Sequence, residues 1–419
     1  MRFIFVHHEP FGPVNLRRLY HGEECFGGSV ARLRLLFWLA ERGHVVCLFG
    51  NVDDGEYRGV LGLAASSDSL DRLHPLLNHG PTLLVTNNPP DERLWTALSS
   101  LKSQSIRIAI WQGNPFPTRW LERLNAGQID RIVCVSQTHR DYYRIYPRFR
   151  SIESSYSGVD TDFLRAVSVP RRSDNVVLSL SIPRPTKGIH RLLSAWPAVR
   201  RAIPDAILRI CGSSKMHDPY APVGKTGVLD VEIENQFPQL FGRHPDSTLR
   251  AGIELMGGRP LQEVYRDLKA AAVAVVNCNW HGSHETFCRS AVEAQFAGTP
   301  VVGAARGSLP EVVAHGKTGV LVNVADIKPI GDAIISLLAN PATRLRMSVA
   351  GPGWAAPFAD YAQISQDWEG IADRAFTGEP APSIPRRVPD LLRNLGYGRV
   401  KLAAHPIRER FSQGFRRCA

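Results

Sequence analysis

The chain has 419 residues, 44% of them apolar and 21% charged, with a formal net charge of +11. That length exceeds what one hydrophobic core supports and makes two domains the expectation, while the ordinary apolar and charged content excludes a disordered or fibrous chain. Seven cysteines, an odd number with no CxxC pair, exclude a disulfide frame or zinc ribbon and read as reduced core residues.

The opening MRFIFVHHEP is too short and too soon polar for a signal peptide, and no apolar run approaches the roughly 20 residues of a membrane span. A cytoplasmic protein is expected, at most peripheral to the inner membrane face. RFIFV predicts a first strand, followed by a long Gly/Pro/His loop from His7 to Gly28. From Ser29, a capping residue, the spacing of Val30, Leu33, Phe37 and Ala40 predicts a helix ending near Gly43, and HVVCLF predicts the next strand. Two readings stand for Gly27 and Gly28: a turn that needs two glycines, or backbone laid against a phosphate. The dinucleotide fingerprint G-x-G-x-x-G is absent. So is a Walker A loop, because Gly224-Lys225-Thr226 has Pro219 where the first glycine belongs and Gly316-Lys317-Thr318 has Glu311.

Strands are expected at Thr82 to Thr86, Ile106 to Trp111 and Ile129 to Val135, each ending in polar residues at crevice positions, among them Gln112, Asn114 and Ser136. VPRRSD, from Val169, is a linker. A second alternation of strands and helices begins at Asn175 to Leu180, where Lys187-Gly188 opens a helix from Ile189 to Arg201. AILRICGSS is the next strand, with Gly212 at its carboxyl end where a planar base can lie against backbone. Lys215 to Ser247 reads as an insertion, and Ile253 to Ala272 as strand, glycine turn and helix.

The most legible chemistry lies between Glu285 and Val322. Ala271 to Cys278 predicts a strand, Phe287 to Ala297 a helix stopped by Gly298-Thr299-Pro300, and Val301 to Ala304 the strand after it. Glu285 then sits in the loop at a strand's carboxyl end and Glu293 two turns into the helix, with the helix N-terminus between them. A helix N-terminus suits a phosphate, and a carboxylate on either side suits hydroxyls, the description of a nucleotide sugar. Glu311, beside Pro310, reads as a first-turn helix charge.

The ordered combination E-T-F-C-R-S-A-V-E, A-x-x-x-G-T-P-V-V and P-E-V-V-x-x-G-x-T-G-x-L-V resembles the donor site of retaining glycosyltransferases of family four, which have the GT-B fold. The resemblance covers most of the chain up to Phe376 and implies an α/β architecture of two Rossmann-like parallel-sheet domains facing across a cleft. Residues 1–168, with a returning helix at 361–376, would form the acceptor-side domain, residues 169–355 the nucleotide-sugar domain, and residues 377–419 a basic tail. It implies that Glu285 orients the sugar, that Glu293 holds the ribose, and that Lys187 and Arg184 neutralise the diphosphate with the helix N-terminus at Thr286, Phe287 and Cys288. Gly27, Gly28 and Gly212 would supply close backbone, and Gln112 and His8 the acceptor side. Two departures stand out. The family's usual arginine falls near Ser181, so that Arg184 is either its substitute or a solvated turn charge, and its usual histidine is Gln112 here.

The resemblance implies no metal and no cofactor, only a nucleotide-sugar donor and an unidentified acceptor. Asp160-Thr161-Asp162 therefore reads as a domain-exit segment rather than a metal motif. A nucleotide-sugar hydrolase or epimerase, and a non-catalytic nucleotide- or nucleic-acid-binding protein, are the rival functions. The tail carries nine basic residues against three acidic, a net +6 after the breaker-rich PAPSIPRRVP. Nucleic acid, anionic lipid or nothing specific would each account for it. An anionic membrane surface is the preferred partner and nucleic acid is not expected, because basic stretches interleaved with aromatics are missing outside the tail.

Overall fold

The computed structural model describes residues 1–8, 12–23, 32–65, 70–77, 80–87, 92–169, 171–216, 220–241, 251–280 and 285–382. Among them, β1 (Arg2–His7), β2 (Val45–Gly50), β3 (Gly55–Tyr57), β4 (Val60–Ala64), β5 (Thr82–Thr86), β6 (Ile106–Gln112), β7 (Arg131–Cys134) and β8 (Ile152–Ser154) form one sheet. Its order is β3-β4-β2-β1-β5-β6-β7-β8. β1 lies at the centre, with Phe3 paired to Val46 on one side and Leu83 on the other. Its continuous apolar run is what a strand covered on both faces requires.

On one face Ile4, Phe49, Leu84 and Ile108 pack with Trp95 and Trp120. On the other, Phe5 and Trp111 meet Trp368 at ring-centroid distances of 5.7 and 4.8 Å. Trp368 belongs to the helix Tyr361–Thr377, which Asp360 caps through Ala362 N and which packs against the helix Leu35–Glu41. The polypeptide stays on this sheet beyond that helix. Arg131 Nη2 donates to Glu379 O at 2.6 Å, Arg140 Nη1 to Pro382 O at 2.9 Å, and Ala381 N to Arg150 O at 2.7 Å. The folded body therefore runs to Pro382 rather than ending at Phe376, because buried arginines capture carbonyls of a segment whose Pro and Gly content reads as linker.

Sequence patterning missed the β3–β4 hairpin. Its two-residue connection, Arg58-Gly59, has positive φ at both positions, 49° and 75°, the geometry of a type I′ turn. The helix expected from Ser29 is seen as Leu35–Glu41 after helical residues at Arg32 and Leu33, while Ser29 itself lies outside the described residues.

The second sheet contains β9 (Val176–Leu180), β10 (Ile207–Cys211), β11 (Ile253–Gly257), β12 (Val273–Val275), β13 (Val301–Ala304) and β14 (Gly319–Val322) in the order β11-β10-β9-β12-β13-β14. All its pairings are parallel. Strand order reverses between β9 and β12, so the crevice outside their carboxyl ends is where a doubly wound sheet receives a ligand. The strand expected to reach Cys278 ends its ladder at Val275. Beyond it the backbone turns to the β9 loop, Cys278 N donating to Lys187 O at 3.2 Å.

By sequence Ile327 to Leu338 and Ala342 to Ala350 read as helices, and the second continues in the structure as Pro341–Ala359, through Gly351-Pro352-Gly353 and Pro357. Packing overrides propensity there. A Cβ on Gly351 would stand 2.5 Å from Gln295 O, so only glycine lets this helix lie flush on the helix Arg289–Phe296. Within the expected insertion, Asp230 caps a short helix Val231–Gln236, and Glu234 accepts from Thr226 N at 3.0 Å. No described helix is long and apolar enough to cross a membrane.

Candidate active site between the two sheets

A cavity of about 500 Å³ lies where the two sheets face each other, within the usual range of small-molecule sites. Lys187, Gly212, Arg259, Glu285, Arg289 and Glu293 line it from the second sheet's side, and Arg32, Arg34, Gly113 and Asn114 from the first.

Lys187 ends the turn after β9. Gly188 (φ +78°) follows it so closely against the β12 loop that a Cβ would stand 2.4 Å from Cys278 C and Asn279 N. That approach puts Lys187 Nζ 2.8 Å from Glu285 Oε2, the oxygen that also accepts from Asn277 Nδ2 at 2.7 Å. Burial opposes the ammonium charge, but the Glu285 carboxylate outweighs it and Lys187 is held above the usual lysine pKa. Glu285 is fixed from below as well. Ser308 N donates to Glu285 O at 2.9 Å, and Gly307 (φ +63°) passes where a Cβ would stand 2.5 Å from that oxygen.

Eight residues on, Glu293 accepts from Arg289 Nε at 2.8 Å and from Tyr265 OH at 3.4 Å. Desolvation opposes the charge of half-buried Arg289, yet Tyr361, Glu293 and Tyr265 carry its pKa well above the ordinary value. The helix entrance is knitted to the other domain. Thr286 Oγ1 donates to Gly113 O, Ser136 Oγ donates to Thr286 O, and Phe287 lies 5.7 Å from the Tyr156 ring. Cys288 stands at the helix's N-cap position without a side-chain capping bond, and burial pushes its thiol pKa up to about 12. Gly212 presents backbone to the cavity, its N–H donating to Gly257 O at 2.8 Å.

The structure brings Lys187, Glu285, Glu293, Gly212, Thr286, Phe287 and Cys288 onto one cavity. Arg184 is a correction. Its Nη2 donates to Ser214 O at 2.6 Å, and it is not among the cavity's lining residues, because the turn Pro185–Lys187 carries it to the β10 side. Gln112 is buried at the end of β6, and its chain neighbours Gly113 and Asn114 line the cavity in its place. His8 packs beside Gly50 instead of reaching the cavity, 3.1 Å from where a Cβ on that glycine would stand. Gly27 and Gly28 lie outside the described residues.

Glu311 lies in the first turn of the helix Leu309–Val312, as expected, and it does more: it is buried, and its carboxylate accepts from Gln137 N at 3.0 Å, Thr138 N at 2.8 Å and Tyr156 OH at 2.8 Å. It caps a helix of the other domain, Gln137–Asp141, and no local signal announces that. Arg289 also went unread, although its position four residues before Glu293 is the spacing of a helical ion pair. Among the described residues no group of three His, Cys, Asp or Glu could hold a metal ion. Asp160 pairs with Arg34, and Asp162 with Arg165 at 3.0 Å.

Residues 160–354 match the family described as Glycosyl transferases group 1. The chain is 32% identical over 183 residues to the GDP-mannose-dependent alpha-(1-6)-phosphatidylinositol monomannoside mannosyltransferase of Mycolicibacterium smegmatis, covering 43% of each chain. It is 35% identical over 225 residues to the D-inositol 3-phosphate glycosyltransferase of Corynebacterium efficiens, covering 53% of this chain and 48% of that one. The chain thus spans about half the length of these two relatives. Among solved structures, Anabaena HepE in complex with UDP and glucose superposes with a TM-score of 0.62 at 16% identity, over 89% of this chain and 99% of that one. Fold and cleft are those of the GT-B class. Within it, residues 160–354 are the part that is similar to the glycosyl transferases group 1 family.

Proposed function

We propose that the protein transfers a sugar from a nucleoside diphosphate sugar to an acceptor hydroxyl with retention of anomeric configuration. The observation that carries this reading is the convergence of Lys187, Glu285 and Glu293 on one cavity at the β9–β12 crevice. The diphosphate takes the place beside Lys187, with the N-terminus of the helix Arg289–Phe296 adding partial positive charge. Lys187 supplies the cation that the sequence reading shared with Arg184. Glu285 accepts from sugar hydroxyls while positive charge grows at the anomeric carbon, and Glu293 accepts from the ribose.

In the reaction the bond from the anomeric carbon to the phosphate oxygen breaks and the acceptor oxygen bonds to that carbon from the same face. The acceptor proton passes to the departing phosphate oxygen. Lys187 stabilises the charge that develops on the leaving group, which is where fixed electrostatics contributes most. No covalent nucleophile takes part. The relatives' names put inositol-bearing phosphates first among acceptors to try, and Arg32 lines the first domain's wall of the cavity where one would enter.

Thermal denaturation in the presence of UDP-, GDP- and dTDP-sugars tests the donor step. A sugar nucleotide at a hundred times its Kd adds about 2.7 kcal/mol of stability, readily seen as a raised Tm. Turnover should then require an acceptor. Sugar release at full rate without one would make the protein a nucleotide-sugar hydrolase or epimerase, and absence of stabilisation by every sugar nucleotide would remove the reading.

A further inference from the structure

A second cavity, of about 350 Å³, opens where the polypeptide crosses between the two sheets' domains, again within the usual range of small-molecule sites. The chain leaves the first domain through Gly158 to Asp160 and returns through Ala359 to Tyr361, and Val159 N donates to Ala359 O at 3.0 Å where the two passes meet. Gly158 (φ +69°) makes room for the Tyr361 ring, since a Cβ there would stand 2.3 Å from it. A partition separates this cavity from the larger one. Arg34, the described residue that lines both, pairs with Asp160, and Arg289 on the side of the larger cavity bonds the Tyr361 hydroxyl on the other.

The walls of the second cavity are aromatic. Trp38 and Tyr361 lie nearly parallel, 20° apart with ring centroids separated by 6.4 Å, and Phe163 and Phe296 add two further rings. Two arginines and four carboxylates complete the lining. Arg34 lies over Phe163 at 4.7 Å and pairs with Asp160, while Arg165 lies over Phe296 at 5.2 Å and donates to Asp162 through Nη1 at 3.0 Å. Arg165 is exposed, and its Nε and Nη2 hold no ion pair among the described residues. Glu41 is a carboxylate left over. It ends the helix Leu35–Glu41, exposed and with no ion pair among the described residues, three positions from half-buried Trp38 and so on the same helix face.

Three classes of ligand fare differently against this lining. Its net charge of −2 opposes a phosphate or any other anion. An organic cation meets the rings of Phe163 and Phe296 already faced by guanidinium groups, which repel it. A hydroxyl is donor and acceptor at once, so it donates to Glu41 and accepts from Arg165, while the C–H face of a sugar ring lies on the Trp38 indole. We propose that this cavity is a second saccharide site, which holds an uncharged sugar ring and takes no part in bond breaking. Either a free sugar or one residue of a glycan chain supplies that chemistry.

Calorimetric titration of the full chain with methyl α-glucoside, methyl α-mannoside and their α-linked disaccharides tests it, with choline and inorganic phosphate as the cationic and anionic controls. At least one sugar should bind, and both Glu41→Ala and Trp38→Ala should weaken it about tenfold or more, the former by removing a hydrogen bond to a charged group. Glu41→Ala changes an exposed position and should keep its Tm, so the test holds even where Trp38→Ala fails to fold. A disaccharide that binds tighter than its methyl glycoside identifies a glycan chain as the source, and equal binding identifies a free sugar. Failure of every sugar to bind, sugar binding that survives in folded Glu41→Ala protein, or choline or phosphate binding that this variant abolishes overturns the assignment. Loss of GDP and UDP binding alone counts against the donor cavity and leaves the second site standing.

Discussion

Glu285 and Glu293, eight residues apart, meet different partners, and their amide variants should fail differently. In the proposed reading Glu285 faces the reacting sugar and Glu293 the ribose, so Glu285→Gln should lower kcat about tenfold to hundredfold with donor affinity nearly kept. Glu293→Gln should instead weaken donor binding by a similar factor, since contacts to the ribose change little during reaction. The structure adds a stability difference. Glu293 is buried and is the carboxylate partner of Arg289. Its neutralisation should therefore cost about 1.5–3 kcal/mol of folding free energy, read from denaturant midpoints, whereas Glu285→Gln should cost less. Near-normal turnover in folded Glu285→Gln protein would remove that residue from the site. His139 sets a pH dependence of its own. Burial holds its pKa down at about 3, against an ordinary 6.5, so below pH 6.5 the unfolded chain binds a proton that the folded chain does not. Its contribution is present in full above pH 6.5 and is lost at up to about 1.4 kcal/mol per pH unit as pH falls toward 3. Melting curves between pH 7 and 5 should show this slope, and a folded His139→Gln variant should flatten it. An unchanged slope would place the acid sensitivity elsewhere.

Two glycines two residues apart on the helix Pro341–Ala359 separate packing from propensity. A Cβ on Gly351 would come 2.5 Å from Gln295 O, while nothing lies within 4 Å of one on Gly353. Gly351→Ala should destabilise by about 1–3 kcal/mol through overpacking, and Gly353→Ala should stabilise by about 0.5–1 kcal/mol through helix propensity. Equal effects from the two in urea denaturation would mean that the helix does not lie flush on Arg289–Phe296. The same contact explains why the sequence reading stopped this helix at Ala350. Local propensity counts glycine and proline as breakers, whereas the gain here comes from a neighbour about fifty positions upstream. The element carrying the two glutamates was legible for the opposite reason, because its strand, loop and helix are signalled by residues a few positions apart.

For the molecule as a whole, the described body reaches Pro382, and the tail's basic residues follow it in sequence. Deletion after Ile384 should leave Tm and nucleotide binding unchanged. If the tail is a membrane anchor, the deletion should also abolish binding to phosphatidylserine vesicles, each basic residue near such a surface being worth about 1 kcal/mol. Deletion after Phe376 should behave differently. It strips Arg131 and Arg140, both buried, of the carbonyls of Glu379 and Pro382, at about 1–3 kcal/mol for each group left unsatisfied. Equal Tm values for the two truncations would contradict that docking, and vesicle binding that survives the shorter deletion would contradict the anchor.

The sequence by itself determined the two alternating α/β halves, the crevice and the pair of glutamates flanking a helix N-terminus, since apolar period, capping and Gly/Pro punctuation act over one or two turns of chain. Tertiary structure alone decided which cation meets Glu285, which helix Glu311 caps and what holds the segment after Phe376 on the first sheet. Lys187 is 98 positions from Glu285, Glu311 is 174 from Gln137, and Arg140 is 242 from Pro382. At such separations no local preference distinguishes a cation in a cleft, such as Lys187, from one three residues away, such as Arg184, that turns to a backbone carbonyl. The choice is made when two folded surfaces meet, by which placement leaves the fewest buried charges and hydrogen-bonding groups without partners.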